Sequence, residues 1–402
     1  MSQEKVTLKQ LLGVIPEEFF EKIAAETQVD FQVKKLSGRV MFNLIMMGLL
    51  DSERISLRVM EDIYHSRKFQ LVAGISTTSS TKHSSIGDRI ATISGEYFEE
   101  LFIKSADLLS EKFNIKQQGK YSIERFDSTI VSLSSKLLKF GMQNGMKNKK
   151  GDHAVNQLKF TIGFNGLIPK VANLYVEQSH LGEDSPLFET IMGNRYDKDS
   201  IAVFDRGLKS RKKFASIHKA GKWFVIRINP TKKYKILEVI SEHPIHTDSL
   251  IIEKQLRVYL VGGKTSVQIK TPLRLILAQQ KESNQPIFFI SNMDDLTAEE
   301  ITEVYKKRWD IEVFFRFLKQ ELNFKHLVSR TENGIKVMLF MTLITAMLLL
   351  IYKQMNQIKG YKIAKRKFVR ELDDEILKVI IIACKGDPNL LTQIKYFQCF
   401  GQ

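Results

Sequence analysis

Tyr305, Arg308, Glu312 and Lys319 fall at the spacing Y-x2-R-x3-E-x6-K inside TAEEITEVYKKRWDIEVFFRFLKQEL, a stretch whose pattern predicts one α-helix. At about 100° per residue the four side chains share a face only about 60° wide. A guanidinium that forks onto phosphate, an ammonium point charge, a donating phenol and a carboxylate suit phosphodiester chemistry. Taken alone, such a quartet is more often a solvated face with an ordinary i, i+4 pair, here Arg308 with Glu312. Thr297 and Glu300 make a capping box, and Val304, Ile311, Phe315, Leu318 and Leu322 form an apolar stripe. The quartet borders that stripe, where a cleft would lie.

Two further carboxylates belong with Glu312. Asp127 follows the strand-like YSIERF, and Asp205 ends the apolar strand IAVF and opens the turn Asp205-Arg206-Gly207. Strand ends of an open sheet are where functional groups gather, although a lone strand-end aspartate is more often a turn former. Mg²⁺ is a hard ion that binds a few carboxylates together with phosphate oxygens. Two such ions about 3.5–4 Å apart activate a water or 3′-hydroxyl on one side of a phosphodiester and stabilise the leaving oxygen on the other. Without ions, three clustered carboxylates repel each other.

The composition names the partner class. With 61 basic against 45 acidic side chains, the 402-residue chain carries a formal charge of +16, which favours nucleic acid over a small acidic substrate. Two cysteines, Cys384 and Cys399, are too few for a disulfide framework or a zinc ribbon, so a reducing cytoplasm fits. MSQEKVTLKQLLG lacks the layout of a secretory signal. The uncharged run from Val337 to Tyr352 is shorter than the ~20 residues a bilayer needs, so it is expected to be a buried core helix and not a membrane span.

The elements that must position the acids follow from periodicity. Helices are expected at Phe19–Thr27, Gly38–Leu50, Leu57–Ser66 and, as one long segment, Ile86–Phe113, with the Ser/Thr-rich loop Ser76–Ser85 between the last two. From Tyr121 the text turns to strands: YSIERFDSTIVSLSS, LKFTIGFN and PKVANLYVEQ as a meander, then a crossover helix at Pro186–Met192 and IAVFDRG. KWFVIRIN, SLIIEKQLRVYL, SVQIKTPLRLILAQQ and PIFFISNM, with a Gly262-Gly263 turn, predict a mainly antiparallel insert. The fold class is α/β: a mixed sheet with flanking helices, interrupted by a β-rich insert, plus an all-helical N-terminal domain. The expected division is 1–118 (helical, a DNA-binding domain or a structural cap), 119–213 and 296–357 (two halves of the core that carries the acids, catalytic on the resemblance given next), 214–295 (insert) and 358–402 (a basic helical tail with Lys362, Lys365, Arg366, Lys367 and Arg370).

FDST at Phe126–Thr129, FDRG at Phe204–Gly207 and YKKRWDIEVFFRFLK at Tyr305–Lys319 together resemble the bacterial insertion-sequence transposases of the DDE type, in the subgroup with the Y-R-E-K pattern and a β-rich insert. The likeness covers roughly half to two-thirds of the chain, from Tyr121 to the apolar helix. It implies a ribonuclease-H-like core in which Asp127, Asp205 and Glu312 hold two Mg²⁺ ions, with Mn²⁺ as a substitute. Tyr305, Arg308 and Lys319 match positions that grip terminal DNA. The partners implied are double-stranded DNA, as terminal inverted repeats and as target, and a second copy of the chain. The chemistry implied is cut-and-paste transposition through a hairpin. A structure-specific nuclease and a non-catalytic DNA-binding descendant are the rival readings.

Weaker signals read as structural. His243 and His246 flank a proline turn without further ligands, and Asp184 and Asp152 lie in loop-like text as turn or capping groups. Lys147, Lys149 and Lys150 fit a solvated surface. Lys209, Arg211, Lys212 and Lys213 follow Asp205 closely and favour DNA backbone contact. Trp309 fits base stacking or core packing equally.

Overall fold

The computed structural model describes residues 6–113, 120–134, 140–144, 155–182, 184–193, 199–262 and 268–393. Asp152, the cluster at Lys147, Lys149 and Lys150, Gly263 of the expected turn, and Cys399 lie outside the described residues. Helices come first: α1 (Leu8–Leu12), α2 (Glu17–Thr27), α3 (Gly38–Asp51), α4 (Leu57–His65), α5 (Arg67–Val72), α6 (His83–Thr92) and α7 (Gly95–Lys112). Then come β1 (Ser122–Ser134), β2 (Met142–Asn144), β3 (Val155–Phe164), β4 (Pro169–Tyr175), α8 (Asp184–Met192), β5 (Ser200–Phe204), α9 (Arg211–Lys219) and β6 (Trp223–Ile228). β7 (Tyr234–Ser241), β8 (Ile245–His246), β9 (Leu250–Leu260), β10 (Leu273–Gln280) and β11 (Pro286–Ser291) precede α10 (Ala298–Lys306), α11 (Trp309–Glu321), α12 (Glu332–Met355) and α13 (Tyr361–Ala383).

The chain divides into two compact units. One comprises Met1–Leu101, Glu321–Ser329 and Val337–Gln402, the other Phe102–Gln320 and Arg330–Lys336. In the first, α3 starts where the Ser37 hydroxyl accepts the Val40 amide, and α4 where Ser56 accepts that of Val59. The long helix expected from Ile86 is two helices. Ile93 is extended at φ −62° and ψ 142°, and the Ser94 hydroxyl accepts the Tyr97 amide at 3.4 Å, so a serine restarts the helix where the periodicity alone shows no break. Lys365 of the basic tail points inward, donating to the carbonyls of Leu49 and Glu321 at 2.9 and 2.7 Å, and burial pulls its ammonium below the ordinary value. α12 is the one helix among the described residues long and apolar enough to cross a membrane, and its most apolar window is 94% buried. Thr342 and Thr345 satisfy their hydroxyls on the carbonyls of Met338 and Met341 within it. It is packed as a core helix.

The second unit holds one sheet in the order β2-β3-β1-β5-β6-β11-β10-β9-β7, with β4 beside β3 and β8 beside β9. β1, β3 and β4 form the expected antiparallel meander, and β5 and β6 continue it in parallel. This is the mixed α/β sheet with flanking helices that the resemblance implies. Of the stretch expected as an insert, its first strand, β6, joins β5 in parallel, and the remaining strands are antiparallel to their neighbours and extend the same sheet from β6 through β11. β7, absent from the sequence reading, alternates weakly and is exposed along most of its length, so its text carries no inward face to detect. On one face of the sheet Phe126, Phe204, Phe224 and Ile226 pack against Leu187 and Ile191 of α8 and Phe214 and Ile217 of α9. On the other, Ile123, Ile201, Val203 and Val225 pack against Ile301 of α10. Each such side chain, fully buried, contributes about 1.5–3 kcal/mol.

A buried ammonium fixes the turn that leads into α8. Lys159 on β3 is 1% exposed and donates to the carbonyls of His180, Leu181 and Gly182 at 2.9, 2.9 and 2.8 Å. Lys159→Met leaves three carbonyls without that donor and is expected to cost about 3 kcal/mol, a fall in melting temperature of roughly 6–12 °C for a unit of this size. A calorimetric scan checks this, and an unchanged melting temperature removes the clamp from the account.

Candidate active site

Strand register brings the two aspartates together. The last paired residues of β1 and β5 are Phe126 and Phe204, so Asp127 and Asp205 follow side by side, about one strand spacing or ~5 Å apart at their Cα atoms. β5 and β6 pair in turn at Phe204 and Ile226, which extends the row to Arg227. Alternation sets the direction. Ile123, Val203 and Val225, each two residues before a member of the row or in phase with it, face α10, so Asp127, Asp205 and Arg227 project to the α10 side. Asp127 Oδ1 accepts the Ser128 amide and Asp205 Oδ1 that of Gly207, both at 2.7 Å.

The single helix expected from Thr297 to Leu322 is two. The capping box forms as predicted, with Thr297 and Glu300 each receiving the other's amide. The helix stops at Lys306, and α11 begins at Trp309. The charges account for the break: Lys306, Lys307 and Arg308 suit the negative end of one helix, and Asp310 and Glu312 suit the positive start of the next. Arg125 of β1 completes it, its Nε donating to the carbonyl of Lys307 at 3.1 Å and its Nη2 to Asp310 Oδ2 at 3.0 Å.

Tyr305, Arg308 and Glu312 meet at this junction from two helices. Arg308 Nη2 donates to Glu312 Oε1 at 2.5 Å, and the guanidinium carbon lies 6.0 Å from the Tyr305 ring centre. Burial pulls the Arg308 guanidinium down, but the hydrogen bond to Glu312 and the charges of Glu312 and Asp127 hold it above its ordinary value. Burial raises the Tyr305 phenol, with the field of Asp205 adding to the rise and Arg308 and Arg227 opposing it. Arg308 thus feels Asp127, and Tyr305 feels Asp205. Lys319 lies two turns beyond Glu312 on the same face of α11, about 10 Å along the axis, with its Nζ 5.7 Å from the Phe315 ring centre. The structure therefore brings the strand ends that carry the two aspartates together, ties Glu312 to Arg308, whose charge reaches Asp127, and leaves Lys319 at a distance.

As the side chains stand, no group of three or more His, Cys, Asp or Glu among the described residues is close enough to hold a metal ion. The donor chemistry nonetheless fits a hard divalent cation: two neighbouring carboxylates, with a third carboxylate on the guanidinium that also feels Asp127. Glu312 is a third of the way exposed, at 32%, and one ion pair holds it.

Arg227 escaped the sequence reading, because only pairing register shows that it stands next to Asp205. Burial first, then Arg206 and Arg308, pull its guanidinium below the ordinary value, and its buried Nε has no hydrogen-bond partner among the described residues. A cavity of about 270 Å³ is lined by Arg206, Lys209, Arg211 and Arg227. Of the basic cluster after Asp205, Arg211 turns inward to the carbonyls of Lys233 and Val261. Asp184 accepts the amides of Lys209 and Ser210, so this rival carboxylate is a loop clamp. Trp309 is 54% exposed, which removes the core-packing reading.

Comparison of the sequence with known proteins points the same way. The family described as the transposase DDE domain matches residues 119–348. A Synechocystis protein named as the transposase of insertion sequence element IS4SA is 25% identical over 306 residues, 75% of this chain and 73% of that protein. A Geobacillus stearothermophilus protein named as the transposase of element IS5377 is 24% identical over 246 residues, 61% of this chain and 60% of that one. A cryo-EM structure of the piggyBac transposase synaptic complex with hairpin DNA aligns at a TM-score of 0.45 and 10% identity, over 100% of this chain and 88% of that chain.

Proposed function

This chain belongs to the DDE transposases of bacterial insertion sequences, and from that premise we propose that it cuts DNA at both ends of its element and joins the freed 3′-ends to target DNA. The observation that carries the proposal is the in-register pair Asp127 and Asp205, facing the junction that gathers Tyr305, Arg308 and Glu312. Enzymes of this family use divalent metal ions. Here Asp127, Asp205 and Glu312 would hold them, and Mg²⁺, or Mn²⁺ in its place, would supply an activated hydroxyl and charge stabilisation at the leaving oxygen.

The protein's own groups do the rest. Arg308 forks onto a phosphate beside the scissile bond and Tyr305 donates to a phosphate oxygen. Lys319, two turns along α11, holds the strand further out as a point charge. The reaction runs as hydrolysis that frees a 3′-hydroxyl, attack of that hydroxyl on the opposite strand to close a hairpin, hydrolytic reopening, and joining to target. The Y-R-E-K spacing and the β-rich stretch before Glu312 support placing the chain in the subgroup that works this way. The division at 1–118, 119–213, 214–295, 296–357 and 358–402, with end recognition in the N-terminal helices, belongs to the same proposal, as do a synapsed homodimer and action on nucleoid DNA in the cytoplasm.

The test uses the DNA that flanks the coding region as donor and a supercoiled plasmid as target, with Mg²⁺. Cleaved ends, a transient hairpin and joined products are expected. Cleavage without joining would make the chain a nuclease, and binding without cleavage would make it a non-catalytic descendant.

A further inference from the structure

Arg125 carries a role that the resemblance does not assign. Its side chain is 4% exposed, and its three nitrogens reach three places: Nη1 donates to the carbonyl of Ile123 at 2.6 Å, Nε to that of Lys307 at 3.1 Å, and Nη2 to Asp310 Oδ2 at 3.0 Å. Gly166, at φ +99°, lies flat against it; a Cβ there would stand 2.9 Å from Nη1. The guanidinium is thus confined from one side and hydrogen-bonded on the others. Burial pulls it below its ordinary value, against the charges of Asp310 and Glu124.

We propose that Arg125 is a positioning residue that sets Glu312 against Asp127. Arg125 and Asp127 are two apart on β1 and share a face, so the anchor and the first carboxylate move as one. The Lys307 carbonyl that Arg125 holds belongs to the peptide leading into Arg308, and Asp310 opens the helix that carries Glu312. Phe164, the cross-strand partner of Arg125, stacks on Phe314 of α11 at 4.6 Å, but an apolar stack permits sliding. The two directional hydrogen bonds to Lys307 and Asp310 do not, and the third, to Ile123 on the same strand, holds the guanidinium in place for them. Stability alone does not call for this arrangement, since an apolar side chain of similar volume is often as stabilising as a buried ion pair. What the guanidinium adds is a fixed distance between β1 and the helix junction, at a site where a shift of about 1 Å can cost about 10²-fold in rate.

The inference rests on the reading of Asp127 and Glu312 as metal ligands, so its test separates the two. Full-length protein bound to its end DNA is titrated with Mn²⁺, free ion being counted by electron paramagnetic resonance, and melting temperature, end-DNA affinity and cleavage rate are measured alongside. Arg125→Gln is expected to weaken Mn²⁺ binding about tenfold and slow cleavage about 10–100-fold, with end-DNA affinity held within about twofold. Arg125→Lys should fall between, and Asp310→Asn should shift Mn²⁺ affinity the same way by about threefold. Wild-type Mn²⁺ affinity in a stably folded Arg125→Gln overturns the inference. If that variant does not fold, wild-type affinity in both Arg125→Lys and Asp310→Asn does so. Asp127→Asn is the control: if it binds Mn²⁺ as tightly as wild type, the metal reading fails, whatever Arg125 does.

Discussion

Asp127→Asn, Asp205→Asn and Glu312→Gln, each made alone, are expected to lower strand cleavage by about 10³-fold or more while end-DNA binding stays within about threefold. The amide variants isolate charge from shape. Oδ1 of Asp127 accepts the Ser128 amide and Oδ1 of Asp205 accepts that of Gly207, and an asparagine carbonyl can accept the same bonds. The loops should therefore keep their form, and what disappears is the negative charge needed to draw a hard cation. Asp127 and Asp205 act as neighbours on one ion pair, so the double variant should lose little beyond either single one. Gel assays of labelled end DNA give both quantities. Full cleavage in any of the three removes that residue from the triad. Loss of end binding in all three would mean that the acids hold the fold and not the ions.

Of the fold, the meander, the crossover and the insert strands were legible because their faces alternate or run wholly apolar. Two breaks were not. Between α6 and α7 a single serine, Ser94, interrupts an unbroken helical period. Between α10 and α11 the cue is present as charge, with Lys306-Lys307-Arg308 followed by Asp310 and Glu312, but hydrophobic periodicity runs straight across it. The break matters for the site, since on one continuous helix Tyr305 and Glu312 would be fixed by the helix itself. In two helices their relation depends on the turn, and the turn on Arg125.

The site was legible as residue types and not as geometry. Motif text singles out Asp127, Asp205 and Glu312 as candidates, but the closeness of the aspartates is a property of parallel register between strands far apart in sequence. Arg227 and Arg125 show what motifs omit. Each lies on a strand that reads as ordinary core text, and each matters only through what the neighbouring strand or helix brings opposite to it.

Arg308→Ala is expected to move two quantities in opposite directions. In the structure Arg308 holds the third carboxylate, Nη2 to Glu312 Oε1 at 2.5 Å, with side chains 16% and 32% exposed. Any cation that recruits Glu312 must displace or share with that guanidinium. The pair is partly solvent-screened, so its removal should favour Mn²⁺ binding to the DNA-free protein by only about 1 kcal/mol, or roughly fivefold. Cleavage of end DNA should fall, because a charge-assisted contact to phosphate, about 1.5–3 kcal/mol, is lost from the strand being cut, or about 10–100-fold. Arg308→Lys keeps the charge but not the two-pronged fork, and should recover the cation affinity of wild type while recovering only part of the rate. Mn²⁺ titration without DNA and single-turnover cleavage measure the two effects separately. If cation affinity falls together with rate, Arg308 supports Glu312 in its working position. If affinity rises as rate falls, the guanidinium guards the carboxylate until a phosphate draws it away, and DNA itself completes the site.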